Sequence, residues 1–127
     1  MDDAARSQIR LGSVSLDCED PRALGDFWAG LLDGEVAFAS DGFVAVRIGG
    51  LWLSMLQVAG FEAPTWPEGE RPKQIHLDLA VDDLVAAEAV AVGLGASRAA
   101  HQPGGDRFVV LLDPAGHPFC LSTQIPE

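Results

Sequence analysis

The chain has 127 residues, 48% hydrophobic and 21% charged, with a formal net charge of −11. That length and balance describe one globular domain with a core of its own, and exclude a disordered chain. The negative charge repels a phosphate backbone, and no apolar run approaches the roughly 20 residues that span a bilayer, so neither nucleic acid nor membrane is an expected partner.

The chain opens MDDAARSQIR, which is acidic and lacks an apolar stretch, so it does not read as a secretory signal. A first strand is predicted from Ser13, where Val14, Leu16 and Cys18 alternate with Ser13, Ser15 and Asp17. Asp20 then caps a helix with Pro21 at its first position. Leu24, Phe27, Trp28, Leu31 and Leu32 form one apolar stripe on it, and Gly34 is expected to close it in the left-handed conformation. Trp28 reads as core. Strands are predicted over 36–39, 43–48 and 51–58, with turns at 40–42 and 49–50.

The stretch 59–74 carries Pro64, Pro67 and Pro72 and reads as a linker inside one domain. A second strand–helix unit starts at His76. Leu77, Leu79 and Val81 alternate with His76, Asp78 and Ala80, Asp83 is the cap, and Ala87, Val90, Ala91 and Leu94 form a slimmer stripe ending at Gly95. Strands follow near 97–100, at 108–112 and at 118–123. The last two are joined by the turn signal Asp113-Pro114-Ala115-Gly116.

The two units are copies of one pattern. His76 stands where Ser13 stands, Leu77 where Val14 stands, Leu79 where Leu16 stands and Asp83 where Asp20 stands. The fold class is therefore α+β, with two tandem βαβββ modules at about 10–58 and 74–125 joined by a linker at about 59–73. One helix cannot cover both faces of its sheet, so the modules must share a core or a cavity. Cys18 and Cys120 are the only cysteines, too few for a disulfide framework, and the cytoplasm is the expected compartment.

Several residues could carry chemistry. His76 reads either as a hydrogen-bonding residue inside a polar pocket or as an acid, base or ligand anchor. Asp78, two residues on and on the same face, either orients it or is solvated at a strand end. Cys120 reads as a small wall residue or as a nucleophile with His76 as its base. Trp52 shares a face with Ser54 and offers a broad apolar wall. Trp66 folds over a cavity mouth or meets a second copy. His101 lies in a Gly- and Pro-rich loop, and His117 is expected to face solvent.

The runs VSLDCEDPRALGDFW, TWPEGERPKQIHLDL, IHLDLAVDDLVAAEAVAVGLGA and VVLLDPAGHPFCLS together resemble the vicinal oxygen chelate superfamily, in its glyoxalase-like branch, over roughly residues 10–125. That superfamily includes glyoxalase I, extradiol dioxygenases and bleomycin-resistance proteins. The resemblance implies a curved mixed sheet around a pocket with the helices outside, a homodimer, and in many members a metal. Its usual ligands come from the first and last strands of each module, here Ser13, Ser54, His76 and Cys120. A serine hydroxyl is a poor ligand, His76 a good one, and Cys120 can bind zinc as a thiolate. Two good donors leave the shell half empty. No resident metal or other cofactor is therefore expected, with a divalent metal at His76 as the alternative. The expected function is binding or sequestration of a small organic molecule by Ser13, Ser15, Trp52, Ser54, His76, Asp78 and Cys120. The alternative is a lyase, isomerase or dioxygenase-type enzyme with His76 catalytic.

Overall fold

Residues 8–127 are described by a computed structural model, and the reading of residues 1–7 lies outside them. Each stretch of alternation becomes a strand. In the first module these are β1 (Ser13–Cys18), β2 (Glu35–Ala39), β3 (Phe43–Ile48) and β4 (Leu51–Gln57), with helix α1 (Pro21–Leu32) after β1. In the second they are β5 (Leu77–Ala80), β6 (Ser97–Arg98), β7 (Phe108–Leu112) and β8 (Pro118–Ser122), with α2 (Leu84–Leu94) after β5. Both sheets have the same order, β1-β4-β3-β2 and β5-β8-β7-β6. The first strand of each runs parallel to the last and the remaining pairs are antiparallel. The duplication seen in the sequence is thus a duplication of topology, and β1 and β5 are both edge strands.

The caps form as their residues dictate. The Asp20 carboxylate accepts from the Ala23 amide at 3.2 Å, and the Asp83 carboxylate accepts from the Ala86 amide at 3.1 Å. The end of α1 differs from expectation. Asp33, not Gly34, takes the left-handed conformation, with φ 53°. Gly34 is needed for space instead, since a Cβ there would lie 2.8 Å from the Arg47 carbonyl oxygen on β3. Gly95 ends α2 with φ 126° as expected.

The expected α2 stripe also needs correction. Ala91 is fully buried, but Val90 is 56% exposed. The α2 sequence LVAAEAVAVGL is apolar nearly all round, so periodicity cannot tell its inner face from its outer one. No helix among the described residues is long and apolar enough to cross a membrane.

The helix-facing sides of both sheets contribute to one core. Its centre is aromatic. Phe119 from β8 meets Trp28 with ring centroids 5.0 Å apart and Phe27 at 5.9 Å, both edge-on. Cys18 is buried in this core as expected. The buried Trp28 indole N–H finds its acceptor in the other module, donating to the Asp113 carboxylate at 3.1 Å. Asp113 also accepts from the amides of Ala115 and His117, so one carboxylate both shapes the β7–β8 turn and ties it to α1. Burial pushes the Asp113 carboxyl above its usual range, while nearby His117 and these hydrogen bonds pull the other way.

Candidate functional site

The shared core leaves a seam along β1 and β5, and a cleft of about 430 Å³ opens there. Val14 and Leu16 from β1, and Leu77 from β5, line it with apolar surface. Ser15 and Asp17 from the other face of β1, and His76 just before β5, also line it. The linker crosses this cleft and adds Phe61, Arg71 and Lys73. The Arg71 guanidinium lies 3.2 Å from the Glu62 carboxylate and 3.3 Å from that of Glu70. Lys73 sits 5.1 Å from the Trp66 ring centroid.

His76 belongs to a second grouping as well. Asp78 is the i+2 neighbour on its face, and the β5–β8 register sets Asp78 opposite Cys120. The His76 Nδ1 lies 3.2 Å from the Asp78 carboxylate and 3.8 Å from the Cys120 sulfur. One donor atom from each of these three residues falls within 4.8 Å of the other two. Cys120 is buried, His76 partly buried and Asp78 exposed, so the group is anchored at its base and open at its rim. The Cys120 thiol is pushed up to about 11, first by burial, then by the Asp78 carboxylate, with Lys73 opposing. In the metal-free protein it is therefore a thiol at neutral pH, which argues against a thiolate nucleophile activated by His76.

The remaining expected residues fall elsewhere. Ser13 and Ser54 hydrogen-bond to each other at 3.0 Å, across adjacent β1 and β4. Neither hydroxyl bonds to His76 or Cys120 among the described residues. Trp52 stands beside Ser13 in register and carries the Arg47 guanidinium 4.7 Å above its ring. The seven residues thus divide into a serine pair with Trp52, a His–Asp–Cys group, and Ser15 in the cleft with His76.

Three further residues frame the site, of which the sequence reading singled out Trp66 and His117 but not Lys73. Trp66 packs against the Ala99, Val110 and Cys120 cluster, and its indole donates to the His101 carbonyl at 3.0 Å. The linker is therefore pinned over the second sheet beside Cys120, and a tryptophan within a proline-rich linker was the available signal. Second, His117 does not simply face solvent. It lines the cleft, and its Nε2 lies 2.6 Å from the Asp17 carbonyl. A carbonyl only accepts, so that nitrogen carries the hydrogen. Third, Lys73 reaches the neighbourhood of Cys120, which no local pattern announced.

Of the four positions implied by the resemblance, two are serines whose hydroxyls hydrogen-bond to each other and are poor donors to a cation. Asp78, which is not one of those four, instead completes a set of three good donors with His76 and Cys120.

The glyoxalase-like domain family model matches residues 13–122. No curated protein matches the chain. Among solved structures, the fosfomycin resistance protein FosX from Mesorhizobium loti is 19% identical, covering 91% of this chain and 92% of that one with a TM-score of 0.67. A mutant FosX from Listeria monocytogenes, in complex with Mn(II) and 1S,2S-dihydroxypropylphosphonic acid, is 17% identical, covering 91% and 93% with a TM-score of 0.68. A glyoxalase/bleomycin resistance protein/dioxygenase family enzyme from Burkholderia phytofirmans is 19% identical, covering 89% and 97% with a TM-score of 0.65. At these identities the structures share the fold.

Proposed function

From the premise that the chain belongs to the glyoxalase-like family of the vicinal oxygen chelate superfamily, we propose that it binds a small organic molecule in the cleft between β1 and β5. The observation that carries this reading is the cleft itself. Its volume of about 430 Å³ lies within the roughly 300–1,000 Å³ common to small-molecule sites. Its walls are apolar, with a few convergent polar groups, which suits a ligand with an apolar body and one polar end. His76 supplies an anchoring hydrogen bond. Its Nδ1 is turned to Asp78 and Cys120, which leaves Nε2 for the ligand.

An enzymatic reading stands second. It is favoured by the His76–Asp78 contact, since a carboxylate beside an imidazole fixes the tautomer of an acid–base histidine. Assembly as a homodimer belongs to the same proposal. It is supported by the apolar outer surface of α2, where Val85 is 81% exposed. Light scattering tests it, and a monomer at micromolar concentration would remove it.

The main reading is tested by a small-molecule library screened by thermal shift. The expected result is a hit whose stabilisation disappears in Ser15→Trp, which fills the cleft, and weakens in His76→Ala. Undiminished stabilisation in both variants, with the fold intact, would place the ligand elsewhere. If turnover of a hit is found and survives His76→Ala, the second reading fails.

A further inference from the structure

The His76, Asp78 and Cys120 group does not need the cleft ligand to make sense. Its donor atoms are an imidazole nitrogen, a carboxylate oxygen and a sulfur. Cation bonds of about 2.0–2.3 Å require neighbouring ligand atoms to lie roughly 3.2–3.8 Å apart in a tetrahedral shell. Two of the three separations match, 3.2 Å from His76 to Asp78 and 3.8 Å from His76 to Cys120, and all three donor atoms lie within 4.8 Å of one another. We propose that these three side chains form a site for one thiophilic divalent cation of the zinc class, complete within the second module.

Three features support this. Two of the ligands stand on paired strands, since Asp78 faces Cys120 in the β5–β8 register, and His76 is the residue that leads directly into β5. Strand pairing fixes such positions more tightly than a loop does. The burial gradient also has the right sense. The sulfur is enclosed by Ala99, Val110 and the Trp66 ring, whereas Asp78 is open, so a fourth position faces outward for water or a ligand. Three protein ligands with one open position is the pattern of catalytic zinc sites. Finally, sulfur and nitrogen donors select Zn(II) or Co(II) over cations that prefer all-oxygen shells, such as Mg(II) and Mn(II).

Asp78 makes the site this chain's own. The ligand positions implied by family resemblance include His76 and Cys120 but not Asp78, and two of them are serines bonded to each other. The cation class follows from Cys120, where the sulfur stands in a ligand position.

The test uses the full chain, stripped with a chelator and titrated with Zn(II), Co(II) and Mn(II) as chlorides. Binding is followed by calorimetry, and Co(II) binding also by absorption. One equivalent of Zn(II) or Co(II) per chain is expected. The Co(II) form should show a sulfur-to-metal charge-transfer band, and Mn(II) should bind at least about tenfold more weakly. Cys120→Ser should abolish the band and Cys18→Ala should retain it. Asp78→Asn, at an exposed and therefore tolerant position, should weaken Zn(II) at least about tenfold while circular dichroism stays native.

A band that survives Cys120→Ser, unchanged Zn(II) affinity in Asp78→Asn, absence of one-equivalent binding, or Mn(II) as tight as Zn(II) would overturn the proposal. Ser15→Trp separates this site from the cleft reading, because it should remove the organic ligand and leave the Co(II) band in place.

Discussion

Truncation of Phe119 tests whether the two modules form one cooperative unit. Its ring is 1% exposed and meets Trp28 and Phe27 of the other module edge-on. Phe→Ala in a core costs about 3–5 kcal/mol through lost transfer energy and the cavity left behind. Two edge-on pairs add about 0.5–1.5 kcal/mol each where the site cannot collapse, so Phe119→Ala falls at the upper end, about 5 kcal/mol. Domains are typically stable by about 5–15 kcal/mol, so this loss consumes much of the total. At about 3–5 °C per kcal/mol for a chain of this size, the midpoint should fall by roughly 15–25 °C. Phe119→Leu keeps most of the volume and should cost about 2 kcal/mol. The assay is urea unfolding at 25 °C followed by tryptophan fluorescence and by far-UV circular dichroism. Coincident, single transitions are expected for wild type and both variants. Separate transitions from the two probes, or a loss below about 1.5 kcal/mol for Phe119→Ala, would refute the shared core as the element that joins the modules.

Gly34→Ala should lose about 1–3 kcal/mol, because the new Cβ would meet the backbone oxygen of Arg47, which cannot turn aside as a side chain can, together with the Ile48 side chain; chemical denaturation checks this, and a neutral result would show that α1 can shift on β3. Asp20→Ala and Asp83→Ala should each cost about 1 kcal/mol by removing an N-cap acceptor, read from the same unfolding curves. Cys18 and Cys120 are both pushed up to about 11 from an ordinary 9.0, chiefly by burial. A raised folded value makes ionisation easier in the unfolded chain. The associated stability is complete below pH 9 and declines as pH rises towards 11, by about 1 kcal/mol per thiol at pH 10 in metal-free protein. Urea midpoints at pH 8 and pH 10 test this, and Cys18→Ala should flatten the slope.

Much of the fold could be read from local pattern because the responsible physics is local. Alternation at 14, 16 and 18 and again at 77, 79 and 81 placed the strands, and the aspartates at 20 and 83 placed both helix starts. The pattern failed where local signals are degenerate or where contact is distant. Nothing local distinguishes Val90 from Ala91 on a helix apolar all round. At the end of α1 two residues compete for the left-handed position. Asp33 takes it because Gly34 is spent on close approach to β3. The bond from His117 to the Asp17 carbonyl joins residues 100 positions apart, and no sequence window contains both.

The site shows the same division more sharply. Counting donors by position gave His76 and Cys120 with two serines, and that count argued against a metal. That count rested on four positions, two of them serines that bond to each other. It left out the register of β5 against β8, which is a tertiary fact. That register sets Asp78 opposite Cys120 and turns a strand-end carboxylate into the third donor. The duplicated scaffold constrains the apolar faces strongly, because each must pack into the same core, and the opposite faces weakly. The first copy carries Ser13, Ser15 and Asp17 there, where the second carries His76, Asp78 and Ala80. A fold built by doubling can therefore keep its symmetry in the core while one module holds the donors and the other helps to wall the cleft. Moving the donor set tests this separation. Asp17 occupies in β1 the place of Ala80, so Ser13→His with Ser15→Asp gives the first module the histidine and aspartate of the second but, with Ser54 in β4, no sulfur. Such a variant should fold with unchanged stability to within about 1 kcal/mol, as exposed substitutions usually do, and bind no second equivalent of Co(II) with a charge-transfer band. Adding Ser54→Cys, which β1–β4 pairing holds opposite Ser15 as β5–β8 pairing holds Cys120 opposite Asp78, should create that band. Failure of the tripled variant to bind a second cation while folded would mean that strand register alone does not make the site.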